Sequence, residues 1–136
     1  MISRILLSAA IALGATALVA MPASAKVKID TALMKVLDPD NDGTVDLAEA
    51  KAAGADTFKK LDTDNSGKLD ATKLAGRVKA KELKKADPDN DGTLDQSEYE
   101  ALVEKRFIAA NRHHEVALKK SELKSRAGQR LVKLIH

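Results

Sequence analysis

The chain has 136 residues, a formal charge of +3, no cysteine, and Phe58, Tyr99 and Phe107 as its aromatic residues. That composition excludes a disulfide framework and a lipid-modified cysteine, and leaves few rings either to fill a large core or to stack nucleic-acid bases. No nucleophile, base and orienting group fall into a recognisable catalytic pattern, so no enzyme is expected.

In chain order, the first predicted element is a leader. Met1-Ile-Ser-Arg4, the apolar run Ile5 to Ala20 and the small residues Ala23-Ser24-Ala25 have the three-part layout of a secretory signal peptide cut after Ala25. The run falls short of the roughly 20 apolar residues that span a bilayer, so no membrane span is expected after cleavage. Residues 26–136 then form one domain in the periplasm or outside the cell. Loss of Arg4 with the leader takes the charge from +3 to +2.

Beyond the leader the chain repeats. Asp38-Pro-Asp-Asn-Asp-Gly-Thr-Val-Asp-Leu-Ala-Glu49 returns as Asp87-Pro-Asp-Asn-Asp-Gly-Thr-Leu-Asp-Gln-Ser-Glu98, with a looser copy from Asp62 to Asp70. The starts are 24 and 25 residues apart, which places a fourth loop at 111–122. Segments of only 12 or 13 residues separate the loops, so the helices between them must be short or shared. The predicted fold is all-α: a compact bundle of four helix–loop–helix units, with minimal β contacts between paired loops. Ile29, Leu33, Val36 and Leu37 form one apolar stripe, and Tyr99, Leu102, Val103 and Phe107 another. Gly54 and Gly76 read as helix ends, with Asp56 or Thr57 capping the next helix, whereas 99–110 has no breaker and reads as one helix shared by loops 3 and 4. Val45, Leu69, Leu94 and Leu118, at the eighth place of each loop, are expected to face one another across short strand pairs.

Loops 38–49 and 87–98 each hold five acids and no base, so a weakly basic average conceals two strongly negative segments. Both match the EF-hand pattern D-x-[DN]-x-[DN]-G-x5-E, which sets oxygen ligands at alternate places, a main-chain carbonyl at the seventh and a two-oxygen glutamate at the twelfth. The expected ligands in loop 1 are Asp38, Asp40, Asp42, the Thr44 carbonyl, Asp46 directly or through water, and Glu49. In loop 3 they are Asp87, Asp89, Asp91, the Thr93 carbonyl, Asp95 and Glu98. Gly43 and Gly92 stand where the loop must turn with positive φ. An all-oxygen set disfavours soft metals, and magnesium demands a tighter octahedron, so Ca2+ or a lanthanide(III) ion of similar radius is the expected occupant.

Loop 2 keeps Asp62, Asp64, Ser66, Lys68 and Asp70 in the ligand places but puts Lys73 at the twelfth. It is expected to be weak or vacant, with the Lys73 ammonium folding back as a tethered cation that shapes the loop without metal. Loop 4 carries Asn111, His113 and Glu115, with Val116 in the glycine place, and is expected to fold as a partner while failing as a hard-ion site. His113 and His114 are read as solvated side chains.

The short loop spacing, Pro39 and Pro88 at the second loop place, and the closing segment Arg126-Ala-Gly-Gln-Arg-Leu-Val-Lys-Leu-Ile135 are similar to the lanmodulin family within the calmodulin-type EF-hand superfamily. That resemblance covers nearly the whole mature chain. It implies a small periplasmic protein whose paired hands bind trivalent lanthanides far more tightly than calcium, with folding driven by the metal.

The residues are compatible with three functions: periplasmic lanthanide capture, storage or delivery; a calcium buffer or sensor; and an interaction protein whose basic C-terminal region contacts an acidic partner. Residues 105–136 contain nine Lys or Arg against Glu115 and Glu122. A solvated face balancing the acidic loops is the preferred reading of that excess. The expected state is a monomer whose ligands are metal ions, with room for a periplasmic protein partner and no nucleic acid.

Overall fold

A computed structural model describes residues 25–136; the leader expected over 1–25 lies, but for Ala25, outside the described residues. In order, these residues form α1 (Thr31–Leu37), β1 (Thr44–Asp46), α2 (Leu47–Leu61), β2 (Lys68–Asp70), α3 (Ala80–Ala86), β3 (Thr93–Asp95), α4 (Gln96–Ala110), β4 (Ala117–Lys119), α5 (Lys120–Leu123) and α6 (Arg126–Ile135). The described residues are mostly helical, and none of their helices is long and apolar enough to cross a membrane.

The spacing between loops is met by sharing helices. Both α2 and α4 run for 15 residues, α2 from loop 1 into loop 2 and α4 from loop 3 into loop 4. Each begins with the same device. Asp46 accepts from the Glu49 N–H at 2.8 Å while Glu49 accepts from the Asp46 N–H at 2.9 Å, and Asp95 with Glu98 repeats the arrangement at 2.9 and 2.8 Å. These reciprocal caps satisfy donors that a helix N-terminus otherwise leaves bare.

The loops pair through two antiparallel ladders, β1 with β4 and β2 with β3. Val45 faces Leu118 and Leu69 faces Leu94, as their place in the loops implies, and all four side chains are fully buried. Loop 1 is therefore joined to loop 4, and loop 2 to loop 3, so each intact loop is paired with a degenerate one.

The core lies where α2, α4 and α6 pack together beneath the ladders. Phe58 on α2 meets Tyr99 on α4 edge to face at 5.5 Å, a favoured geometry for aromatic rings. Tyr99, Leu102, Val103 and Phe107 are buried as their spacing predicts. The earlier stripe is narrower than expected. Ile29, Leu33 and Leu37 are buried, but Ile29 precedes the helix that Asp30 caps, and Val36 is exposed.

Gly54 does not end a helix. It sits inside α2, where a Cβ would stand 2.9 Å from Val103 Cγ2, so a tight α2–α4 approach explains the glycine and no capping by Asp56 or Thr57 arises. Gly76 ends no helix either: it adopts φ +75° within the turns between loop 2 and α3.

Long-range polar contacts tie the helices together. Arg106, almost wholly buried, donates to both Glu82 oxygens at 3.0 and 3.1 Å and to the Arg77 and Arg130 carbonyls at 2.8 and 2.5 Å, so its guanidinium is satisfied. The Gln129 side chain clasps the Val27 backbone, accepting at 2.6 Å and donating at 3.0 Å.

Candidate metal centres

The two intact loops are built alike. In loop 1 the Asp38 carboxylate accepts from the N–H groups of Asp42 and Gly43 at 3.1 and 3.0 Å, and Asp87 in loop 3 accepts from Asp91 and Gly92 at 3.2 and 2.8 Å. Asn41 and Asn90 at the fourth place have φ of 59° and 56°, and Gly43 and Gly92 at the sixth have 85° and 82°. These left-handed steps wrap the chain around its own first residue; asparagine and glycine are the residue types that adopt them at least cost.

As a result Asp38, Asp40 and Asp42 each bring a carboxylate oxygen within 4.8 Å of the others, and so do Asp87, Asp89 and Asp91. Thr44 and Thr93 open the strands, while Asp46 and Asp95 cap the helices and hold Glu49 and Glu98 by one oxygen. In loop 1 the other glutamate oxygen, Glu49 Oε1, is buried and accepts no hydrogen bond. A buried anionic oxygen left without a partner is costly, and a cation in the loop would satisfy it.

The crowding shows in the acidities. Burial pushes Glu49 and Glu98 above the ordinary glutamate range, against the opposing N–H groups of Asp46 and Asp95. The Asp87 carboxyl beside Asp89 holds it above the usual aspartate range; Asp40 is also raised, the Asp42 N–H pulling it down but the Asp38 carboxyl outweighing it with desolvation and the Asp42 charge. Mutual repulsion among crowded acids of this kind is relieved by a multivalent cation.

Loop 2 has the same backbone, with φ of 52° at Asn65 and 72° at Gly67, and Asp62 accepts from the N–H groups of Ser66 and Gly67 at 3.0 and 2.8 Å. The Lys73 ammonium lies inside this loop. It donates to Asp62 Oδ1 at 3.2 Å, Asp64 Oδ1 at 2.5 Å, Ser66 Oγ at 3.1 Å and the Lys68 carbonyl at 2.9 Å, while Asp70 accepts from the Lys73 N–H at 2.8 Å. The fold-back expected of Lys73 is the geometry observed.

Loop 4 departs at the sixth place. His114 keeps the left-handed step with φ 53°, but Val116 is absent from the positive-φ residues and is highly exposed. Glu115 is engaged by Lys119 at 2.8 Å, and its N–H donates to Asn111 Oδ1 at 3.0 Å. Glu122 accepts from the Lys119 N–H at 3.0 Å and leaves its other oxygen buried and unpartnered, as Glu49 does.

One contact had no signal in the sequence. Lys68, at the seventh place of loop 2, forms an ion pair with Asp91 of loop 3, across the ladder in which Lys68 faces Asp95. Lys68 holds the Asp91 carboxyl down at about 2, helped by the Thr93 hydroxyl and N–H. Only the register of β2 with β3 brings these residues together.

Two segments, residues 55–72 and 79–103, match the EF hand family model; they take in most of loop 2 and all of loop 3. Lanmodulin of Methylorubrum extorquens is 53% identical over 76 residues, an alignment covering 53% of this chain and 53% of that protein. The match thus spans about half the length of this curated relative. Joined to the shared-helix loops, their ladders and the acidic cages, these matches make the chain similar to lanmodulin over about half its length and to the EF-hand family across loops 2 and 3.

Proposed function

We propose that the protein captures hard, multivalent cations of calcium-like radius, Ca2+ or lanthanide(III), in loops 1 and 3, and that it buffers or delivers them outside the cytoplasm after removal of residues 1–25. The proposed ligands are Asp38, Asp40, Asp42, the Thr44 carbonyl, Asp46 and Glu49 in one loop. Those of the other are Asp87, Asp89, Asp91, the Thr93 carbonyl, Asp95 and Glu98.

The observation that carries this reading is Glu49: a half-buried carboxylate held by one oxygen, its second oxygen buried and unpartnered, beside three aspartates gathered within 4.8 Å. Oxygen donors of this number suit a large hard ion that tolerates irregular geometry. Each loop carries five acids and no base, so a trivalent ion leaves less uncompensated charge than a divalent one. The lanmodulin likeness supports the same preference.

Calorimetric titration of the metal-free mature protein with lanthanum and then with calcium tests the proposal. Two ions per chain are expected, with lanthanum displacing calcium. Uptake of neither ion at millimolar concentration would falsify it; equal preference for the two would leave a calcium buffer and remove the lanthanide role.

A second reading, contact with an acidic partner, is favoured by one feature. Lys79, Lys81, Lys85, Lys105 and Arg130 line a cavity of about 520 Å³ beside Glu98. Retention on an acidic resin that salt abolishes and Lys81→Glu/Lys85→Glu weakens is the expected result; retention unaffected by both removes this reading.

A further inference from the structure

Loop 2 looks at first like a hand that has lost its function. Its first, third, fifth and seventh places all carry oxygen acceptors, and all four accept from the Lys73 ammonium at 2.5–3.2 Å. These are the places from which the EF-hand pattern directs ligands at an ion. The ammonium is shielded, with 16% of its side chain exposed.

We infer that Lys73 is a built-in, non-exchangeable cation of loop 2: it keeps hard metal ions out of this loop and holds hand 2 folded when the other loops are empty. The first half extends the reading of loops 1 and 3 as ion sites; the second stands without it.

Charge supports the first half. Loop 2 carries Asp62, Asp64 and Asp70 against Lys68 and Lys73, a net of −1, where the intact loops carry −5. An incoming ion would meet little attraction and would have to expel an ammonium that an aspartate pair already holds. Lys73 is also raised above the ordinary lysine range, with the Asp64 hydrogen bond as the leading cause, so it stays charged at neutral pH.

Backbone geometry supports the second half. Loop 2 reproduces the left-handed steps and first-aspartate hydrogen bonds of loops 1 and 3 although it has no glutamate at the twelfth place. Its strand β2 carries the ladder to β3 of loop 3. Hand 2 is then an ion-independent half of a mixed pair, a template already in place when loop 3 takes its ion.

Two measurements on the full mature chain test this. Calorimetry with lanthanum should give two ions for the wild type and for Lys73→Met, and three for Lys73→Glu, which restores the twelfth-place acid. Amide exchange of the metal-free protein should show residues 62–73 protected at least about tenfold more than residues 38–49, with Lys73→Met erasing that difference. Three ions in the wild type, no third ion in Lys73→Glu, or unchanged protection in Lys73→Met overturns the inference. If Lys73→Glu does not fold, the Lys73→Met exchange result decides. Protection of 62–73 in a wild type that binds no ion would overturn the reading of loops 1 and 3 and leave the tethered cation standing.

Discussion

Loops 1 and 3 share a ligand pattern and a hydrogen-bond scheme, yet they stand in different company. Loop 1 is laddered to loop 4, whose Lys119 lies opposite Thr44 but is spent on Glu115 of its own loop. Loop 3 is laddered to loop 2, whose Lys68 reaches across to Asp91. On the proposed reading, a twelve-residue motif fixes which atoms would face an ion, while the neighbouring strand fixes how much charge that ion would meet. Loop 3 should be the weaker of the two, and more so for a trivalent guest, because repulsion by a fixed ammonium scales with ionic charge.

The harshest way to break the comparison is to remove a twelfth-place acid. Glu49→Gln and Glu98→Gln should each abolish one ion from the calorimetric count, weakening that loop on the order of a hundredfold, the equivalent of about 3 kcal/mol. The other loop should keep its ion. If both disappear together, the loops are not the separate sites their ladders imply.

Next in size is Gly54→Ala, which forces a Cβ against Val103 where α2 crosses α4. Because α2 serves loop 1 and α4 serves loop 3, this substitution should destabilise the metal-free fold by about 2 kcal/mol in urea unfolding. Loss of affinity in both loops would show that they share this contact; loss in one would show that they do not.

Lys68→Met sharpens the comparison without touching a proposed ligand. It should tighten loop 3 by about tenfold for lanthanum and by less for calcium, leaving loop 1 unchanged. Tyr99 is the residue directly after Glu98, so terbium emission excited through the tyrosine provides the readout. Equal gains for both ions, or none, would break the charge argument.

The smallest effect concerns the α3 anchor beside loop 3. Burial pushes Glu82 up, but the Arg106 and Arg130 guanidinium groups outweigh it and leave the carboxyl below the ordinary glutamate range. A carboxylate with a depressed folded value stabilises the fold above its unfolded pKa of about 4.3 and loses that contribution as pH falls through the lower folded value. In metal-free thermal melts, wild type should therefore exceed Glu82→Gln at neutral pH, and the gap should close as the solution is acidified below about pH 4.

Much of this arrangement is legible in the residues. Alternating acids, a glycine at the sixth place and repeats about 24 residues apart place the loops, and the eighth-place apolar residues identify the contacts that the ladders make. Local chemistry suffices because each loop's geometry is set within its own twelve residues. Gly54 escapes such a reading because a helical glycine can mark either a stop or a close crossing, and only the neighbouring helix distinguishes them. Val36 shares the spacing of its buried neighbours but lies outside the packed face. The Lys68–Asp91 and Glu82–Arg106–Arg130 contacts join residues 23 to 48 positions apart, so no pattern along the chain announces them.

Sharing α2 and α4 between loops also limits how the molecule can respond. A hand with two helices of its own can splay them without disturbing its neighbour, but a 15-residue helix about 22 Å long acts as an axle with a loop at either end. Any tilt imposed at one end is delivered to the other, so occupancy of loop 3 should be readable as altered amide exchange around Asn111 and His114, on a loop expected to hold no ion itself.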